Sequence, residues 1–242
     1  MISEDTDKIA YLGNNVVMLA GSLSAARELL GRCEAAITKY QSGSDELALT
    51  NLLTALREAV KQRKWERINE YLSAKYGVDY DYFLLRSKDH FSEAHYLQVW
   101  AEIRAVDLDA ELVISSFSDD EAVLIKIAID GRVTWEDHYS TAGNGSAVAH
   151  AFLCQREYSD DMQLHECLAR VIEAKIAAER TPYVGQATVV EISSPGKIID
   201  VDAKCLSRII GRIHKRMLTL PIGPIDERFL AERPNGTNEG EA

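Results

Sequence analysis

The side chains that could carry chemistry in this 242-residue chain are few and scattered. Ser146 and His150 stand four apart, a spacing that puts both on one helical face and allows a serine–histidine pair. The local sequence supplies no third group to orient them. His90 and His95 lie five apart with Asp89 and Glu93 alongside, an arrangement that invites a metal. That spacing does not stack the two imidazoles on one helical face, so a solvated surface is the expected reading. Gly143-x-Gly145 has the outline of a phosphate cradle, yet it lacks the third glycine and the following Lys-Ser/Thr. It reads as a tight strand-to-helix joint. Cys33, Cys154, Cys167 and Cys205 include no CxxC pair and read as reduced thiols of core or surface. Trp65, Trp100 and Trp135 are expected to fill core or interface space. Arg208, Arg212, Lys215 and Arg216 form a basic stripe, first a solvated face and second a contact for acidic patches on a neighbouring subunit. No cofactor and no metal site is expected.

The elements that must position these residues follow from hydropathy period and turn chemistry. Two short apolar runs around Gly13-Asn-Asn15 predict a hairpin, and its second run, residues 16–20, is apolar throughout. Such a run suggests a strand covered on both faces. Ser22 or Ser24 offers an N-cap for a helix to about Tyr40, and a second helical pattern starts near Leu47 and reaches about Tyr71. Residues 71–109 read as one or two short helices with loops. The period then switches to two, giving strands over 111–117, 123–129 and 132–139 as an antiparallel meander. Helices are predicted from about Ala147 to Arg156 and from Met162 to Arg180. Strands over 187–192 and 197–201, joined at Ser194-Pro-Gly196, precede a last helix from Ala203 to about Met217. Helices thus arrive in pairs between groups of antiparallel strands, which favours an α+β architecture of two sheets between two helical layers.

Composition narrows the function classes. With 27 Lys+Arg against 38 Asp+Glu the formal charge is -11, which argues against a general nucleic-acid surface. No apolar run approaches the roughly 18 residues that span a bilayer, and no charged-then-apolar leader opens the chain. A cytoplasmic protein with no nucleic-acid or membrane partner is the expectation. Asn144-Gly-Ser146 and Asn235-Gly-Thr237 are then chance matches to the glycosylation pattern.

Four stretches, in order, resemble the proteasome β-subunit family of N-terminal-nucleophile hydrolases. Asp7-Lys-Ile9, followed by Met18-Leu-Ala-Gly21, is similar to the family's strand pair entering its first helix. Leu112 to Phe117 is similar to its next strand, and Thr141-Ala-Gly-Asn-Gly-Ser-Ala147 to the glycine–serine turn before its third helix. Tyr158 to Arg180, with Thr181-Pro-Tyr-Val-Gly-Gln-Ala-Thr-Val, resembles the following helix and the loop after it. The resemblance covers roughly residues 7–60 and 110–200. Residues 64–109 are then an insertion, similar to one in some bacterial proteasome-like proteins, with Trp65, Tyr71, Leu72 and Gly77 fitting its pattern.

The resemblance implies a four-layer αββα sandwich of two antiparallel sheets in one domain over residues 1–233; the polar, acidic composition of residues 234–242 reads as a disordered tail. The resemblance also implies a ring-shaped homo-oligomer acting on peptides or proteins by threonine-type amide hydrolysis. There an N-terminal threonine is the nucleophile and its own amine the base. Lys8 matches the family's lysine beside the threonine, and Gly21 the glycine whose amide forms the oxyanion hole. The departures are specific. Lys8 lies seven residues after Met1, so the family's nucleophile-bearing hairpin is missing; Ser3 and Thr6 are internal. Asn144 stands for a serine, Thr181 for an aspartate and Val184 for another serine. Two readings stay open at this level: Met1 is an internal methionine with strands encoded upstream, or the chain is a pseudoenzyme that retains the fold as a non-catalytic scaffold.

Overall fold

A computed structural model describes residues 8–40, 49–118, 121–159, 161–195 and 197–218. The expected tail over 234–242, and Ser3, Thr6 and Asp7, lie outside the described residues. Within them the chain is mixed α+β, with seven helices and two antiparallel sheets.

Strands β1 (Ile9–Leu12), β2 (Asn15–Gly21), β3 (Ala110–Ser118), β4 (Glu121–Ile127) and β5 (Val133–Glu136) form one sheet in sequence order. The alternation of its residues decides its faces. Leu12, Val17, Leu19, Leu112, Ile114, Val123, Ile125 and Ile127 form one buried surface against helices α1 (Leu23–Tyr40) and α2 (Leu49–Tyr76). On the other face Val16, Met18 and Ala20 are only half-buried. The uniformly apolar β2 therefore has one tightly packed side and one loosely covered side, where its sequence suggested two covered ones.

That second face is overlaid in part by a two-stranded sheet, β6 (Glu191–Ser194) and β7 (Lys197–Asp200). The Tyr11 hydroxyl donates to Glu191 Oε1 at 2.9 Å, and the Ser115 and Ser193 hydroxyls meet at 3.1 Å. Helices α5 (Ser146–Gln155), α6 (Leu164–Ala178) and α7 (Ala203–Leu218) pack in turn, α5 on α6 and α6 on α7. Ile172 and Ile176 of α6 pack on Leu206 and Ile213 of α7, which leaves Arg208, Arg212 and Lys215 exposed. The first strand of this pair begins at Glu191; residues 187–190, expected as strand, are irregular.

Residues 80–105 hold two short helices, as their sequence suggested. Helix α2 runs unbroken to Tyr76, past its expected end near Tyr71, and its apolar stripe turns round the helix partway along. Its first half, with Leu52, Leu56 and Val60, faces the sheet; Ile68 and Leu72 face a second core with Phe83, Val99 and Ile103. The last three belong to α3 (Tyr80–His90) and α4 (Glu93–Ala105). Asp79 caps α3 by accepting from the Tyr82 amide at 2.6 Å, and Ser92 caps α4 through the His95 amide. Trp100 packs on Phe83, whereas Trp65 and Trp135 are about half exposed. These two are not core residues.

Candidate functional site

The C-terminal end of β2 is where three remote stretches converge. Gly21 adopts φ +81°, and a Cβ there would sit 2.6 Å from the Asp109 carbonyl oxygen, so only glycine lets β2 close against the start of β3. The Asp109 carbonyl accepts from the Ser22 amide at 2.8 Å and turns the chain into α1. The second stretch is the loop before α5. A Cβ added at Gly143 would contact Ala20 Cβ at 3.4 Å, and one at Gly145 would meet Ala178 Cβ at 2.8 Å and Val184 Cγ2 at 3.1 Å. Gly145 thereby ties the loop to the end of α6 and to the third stretch, residues 181–185.

Polar groups on the second sheet face hold the loop down. Glu111 Oε2 accepts from the Gly143 amide at 2.7 Å, and Lys126 Nζ donates to the Thr141 carbonyl at 2.7 Å. The two side chains are themselves 4.0 Å apart and largely covered, 16% and 21% exposed. A paired carboxylate and ammonium with backbone partners is a satisfied, positioning arrangement. The third stretch is a tight turn, with the Thr181 amide donating to Ala178 and the Val184 amide to Thr181. Lys175 Nζ donates to the Gly185 carbonyl at 2.9 Å and pairs with Glu179. Tyr183, at the tip, has φ +68° and is 93% exposed.

Among the residues singled out from sequence, Gly21 lies in this junction. Lys8 is exposed, and its carbonyl accepts from the Leu19 amide at 2.6 Å, which places it across the β1–β2 hairpin two residues before Gly21. Asn144 is exposed, whereas Thr181 and Val184 are half-buried in the turn. His90 ends α3 and stacks on Tyr82; His95, on α4, packs edge-on against Tyr76 and Phe91. The two imidazoles serve separate aromatic contacts, so His95 is part of the packing around the insertion core and not simply solvated. Among the described residues no group of three or more metal-ligating side chains gathers.

Two clusters escaped the sequence reading. Between α2 and α4, Glu102 accepts from the Tyr71 and Tyr76 hydroxyls at 2.7 and 2.5 Å and from Gln98, and Lys75 lies 2.8 Å away. These partners, Lys75 foremost, hold its carboxyl down to about 2. A carboxylate so fully partnered staples α2 to α4 and has no capacity left for proton transfer. On α5, His150 bonds forward to Cys154, with Nε2 3.6 Å from Sγ, and Tyr139 Oη is 2.7 Å from the same sulfur. The i, i+4 spacing was the available signal. It was applied to Ser146 and His150, one turn too early.

No protein-family model matches the chain, and no curated protein matches it. Among the described residues no helix is long and apolar enough to cross a membrane.

Proposed function

We propose that the chain is a proteasome-like subunit of the N-terminal-nucleophile hydrolase type that serves as a non-catalytic member of a ring-shaped homo-oligomer. On this reading the five-stranded and two-stranded sheets are the two inner layers of an αββα sandwich. The observation that carries it is the convergence on Gly145. Three stretches that resemble the family's site segments, far apart in sequence, meet near one end of β2, with Gly143 beside Ala20 and Gly145 pressed against Ala178 and Val184. In this reading Lys8 and Gly21 occupy the positions of the family's lysine and oxyanion glycine.

The furnishing of that junction favours assembly over hydrolysis. Amide hydrolysis needs oriented donors and acceptors around the reacting carbonyl, because they stabilise charge developed in the transition state. Here the side chain closing on Gly145 is the apolar Val184, the neighbouring turn carries Thr181, and Asn144 is exposed. An almost fully exposed tyrosine at the same turn, Tyr183, suits an intersubunit contact, where aromatic anchors dominate. The exposed Arg208, Arg212 and Lys215 on α7 offer a basic face to copies of an acidic chain.

The test is incubation of the full chain with a threonine-reactive covalent peptidase inhibitor, read by intact mass and by hydrolysis of peptide substrates. The expected result is an unmodified mass and no hydrolysis above buffer. A stoichiometric adduct with peptide turnover would replace this reading by that of a working threonine peptidase.

A further inference from the structure

We propose that Cys154 is a nucleophilic thiol, activated by His150 and Tyr139, and that it is a site of oxidation by peroxides. The cluster is built from two elements. His150 and Cys154 share one face of α5, with His150 Nε2 3.6 Å from Sγ, and Tyr139 reaches the same sulfur from the segment before the helix, Oη to Sγ 2.7 Å. The Tyr139 ring also leans on the His150 ring, with centroids 5.3 Å apart, so the three side chains are packed as a unit. Tyr158 fixes the far side of Tyr139 by an edge-on contact at 5.6 Å. That contact depends on the turn ending α5. The Tyr158 amide bonds back to Leu153 and the Glu157 amide to Cys154, with Glu157 in the left-handed region at φ +51°. This is the Schellman closure, here made by a residue other than glycine.

The arrangement supplies what a reactive thiol needs. The thiolate is the nucleophile, and an ordinary cysteine is only a few per cent ionised at neutral pH. An imidazole within reach of the sulfur accepts the thiol proton and, once protonated, stabilises the thiolate by its charge. Tyr139 acts as donor to the sulfur: its hydrogen bond to Cys154, and burial after it, push its own ionisation up to about 12, so the phenol keeps its proton. The side chains of Cys154 and His150 are exposed, so a small peroxide reaches the sulfur.

The step balances as follows. The Cys154 proton passes to His150 Nε2, and the thiolate sulfur attacks one peroxide oxygen. The S–O bond forms as the O–O bond breaks, the departing oxygen takes a proton from the imidazolium, and sulfenic acid and water (or an alcohol) result. The sulfur is oxidised by two electrons and the peroxide reduced by two.

The other cysteines lack this setting. Cys33 is fully buried, and burial pushes its thiol up to about 12. The Cys167 thiol donates to the Met162 carbonyl at 3.6 Å and is half-buried. Cys205 is exposed in the first turn of α7, where its amide donates to the Asp202 carboxylate at 3.0 Å. Cys205 is thus an exposed reference within the same molecule.

The experiment treats the full chain at pH 7 with dilute hydrogen peroxide and a sulfenic-acid trap, and reads adducts at each cysteine by peptide mass spectrometry. Cys154 is expected to be trapped at least about tenfold faster than Cys205. His150→Gln should bring Cys154 down to the Cys205 rate, and Tyr139→Phe should lower it part of the way, with unchanged thermal unfolding in both variants. Equal rates at Cys154 and Cys205 in the wild-type chain would overturn the proposal without reference to any variant. So would a Cys154 rate that His150→Gln leaves untouched.

Discussion

Gly145 lies so close to Ala178 that a methyl group on its α-carbon would stand 2.8 Å from the Ala178 Cβ, with Val184 at 3.1 Å on the other side. No rotamer relieves a clash with a Cβ, so the loop before α5 and the end of α6 would have to separate. Gly145→Ala is therefore expected to destabilise the fold by about 1–3 kcal/mol, the range for overpacking a close contact. Chemical denaturation of the variant checks this, and a loss below about 0.5 kcal/mol would mean that the three stretches do not meet as described.

The insertion gives a pH prediction with a defined sign. Glu102 titrates near 2 in the folded chain, against about 4.3 for an unconstrained glutamate. Its charged form is favoured by folding, so its contribution is fully present above the unfolded value and is lost as pH falls through the folded one. The unfolding temperature of the wild type should exceed that of Glu102→Gln by a constant margin above about pH 5. That margin should shrink steadily towards pH 2. Parallel curves across the acid range would show that the Glu102 contacts with Lys75, Tyr71 and Tyr76 do not act in solution.

Tyr183 separates stability from assembly. A left-handed backbone costs a non-glycine residue roughly 1–2 kcal/mol, and the ring, 93% exposed, returns almost nothing within the chain. Tyr183→Gly should leave the monomer as stable as wild type or up to about 1 kcal/mol more stable, since relief of strain offsets the added freedom of the unfolded chain. If the ring anchors a contact between subunits, the same change should weaken self-association by tenfold or more, as loss of an aromatic anchor does. Sedimentation velocity across a concentration series measures the second effect and denaturation the first. Undiminished association would remove Tyr183 from the interface.

Much of the fold was legible in the residues. The switch from helical spacing to strict alternation near Glu111, and the turns at Gly13 and Asp130-Gly131, locate the five strands of the larger sheet to within a few residues. Helix α2 and the two short helices after it were also legible, but not their packing, because α2 serves two cores: Val60 points to one and Ile68 to the other. The second core is made largely of aromatic residues, Phe83, Tyr96 and Trp100, whose spacing does not say what they meet.

The site was legible in part. Gly143 and Gly145 could be picked out as a joint, and Gly21, Asn144, Thr181 and Val184 only through the resemblance, but which stretch each approaches is a matter of tertiary packing. The Glu111–Lys126 pair that pins the loop was invisible because each residue alternates onto the second face of an otherwise apolar strand, where a solvated charge is the ordinary expectation. Cys154 was passed over for a different reason. Its i, i+4 spacing from His150 was visible but was spent on Ser146, and Tyr139 reaches the sulfur only through tertiary packing from outside the helix.

If the chain is an assembly subunit of proteasome-like form, as proposed, native mass spectrometry of the purified full chain will show the assembly. One closed homo-oligomer is predicted, at a single multiple of the 27.0 kDa chain mass, persisting on dilution until it dissociates to monomer. A monomer at every concentration, or an open ladder of sizes with no preferred multiple, would contradict it.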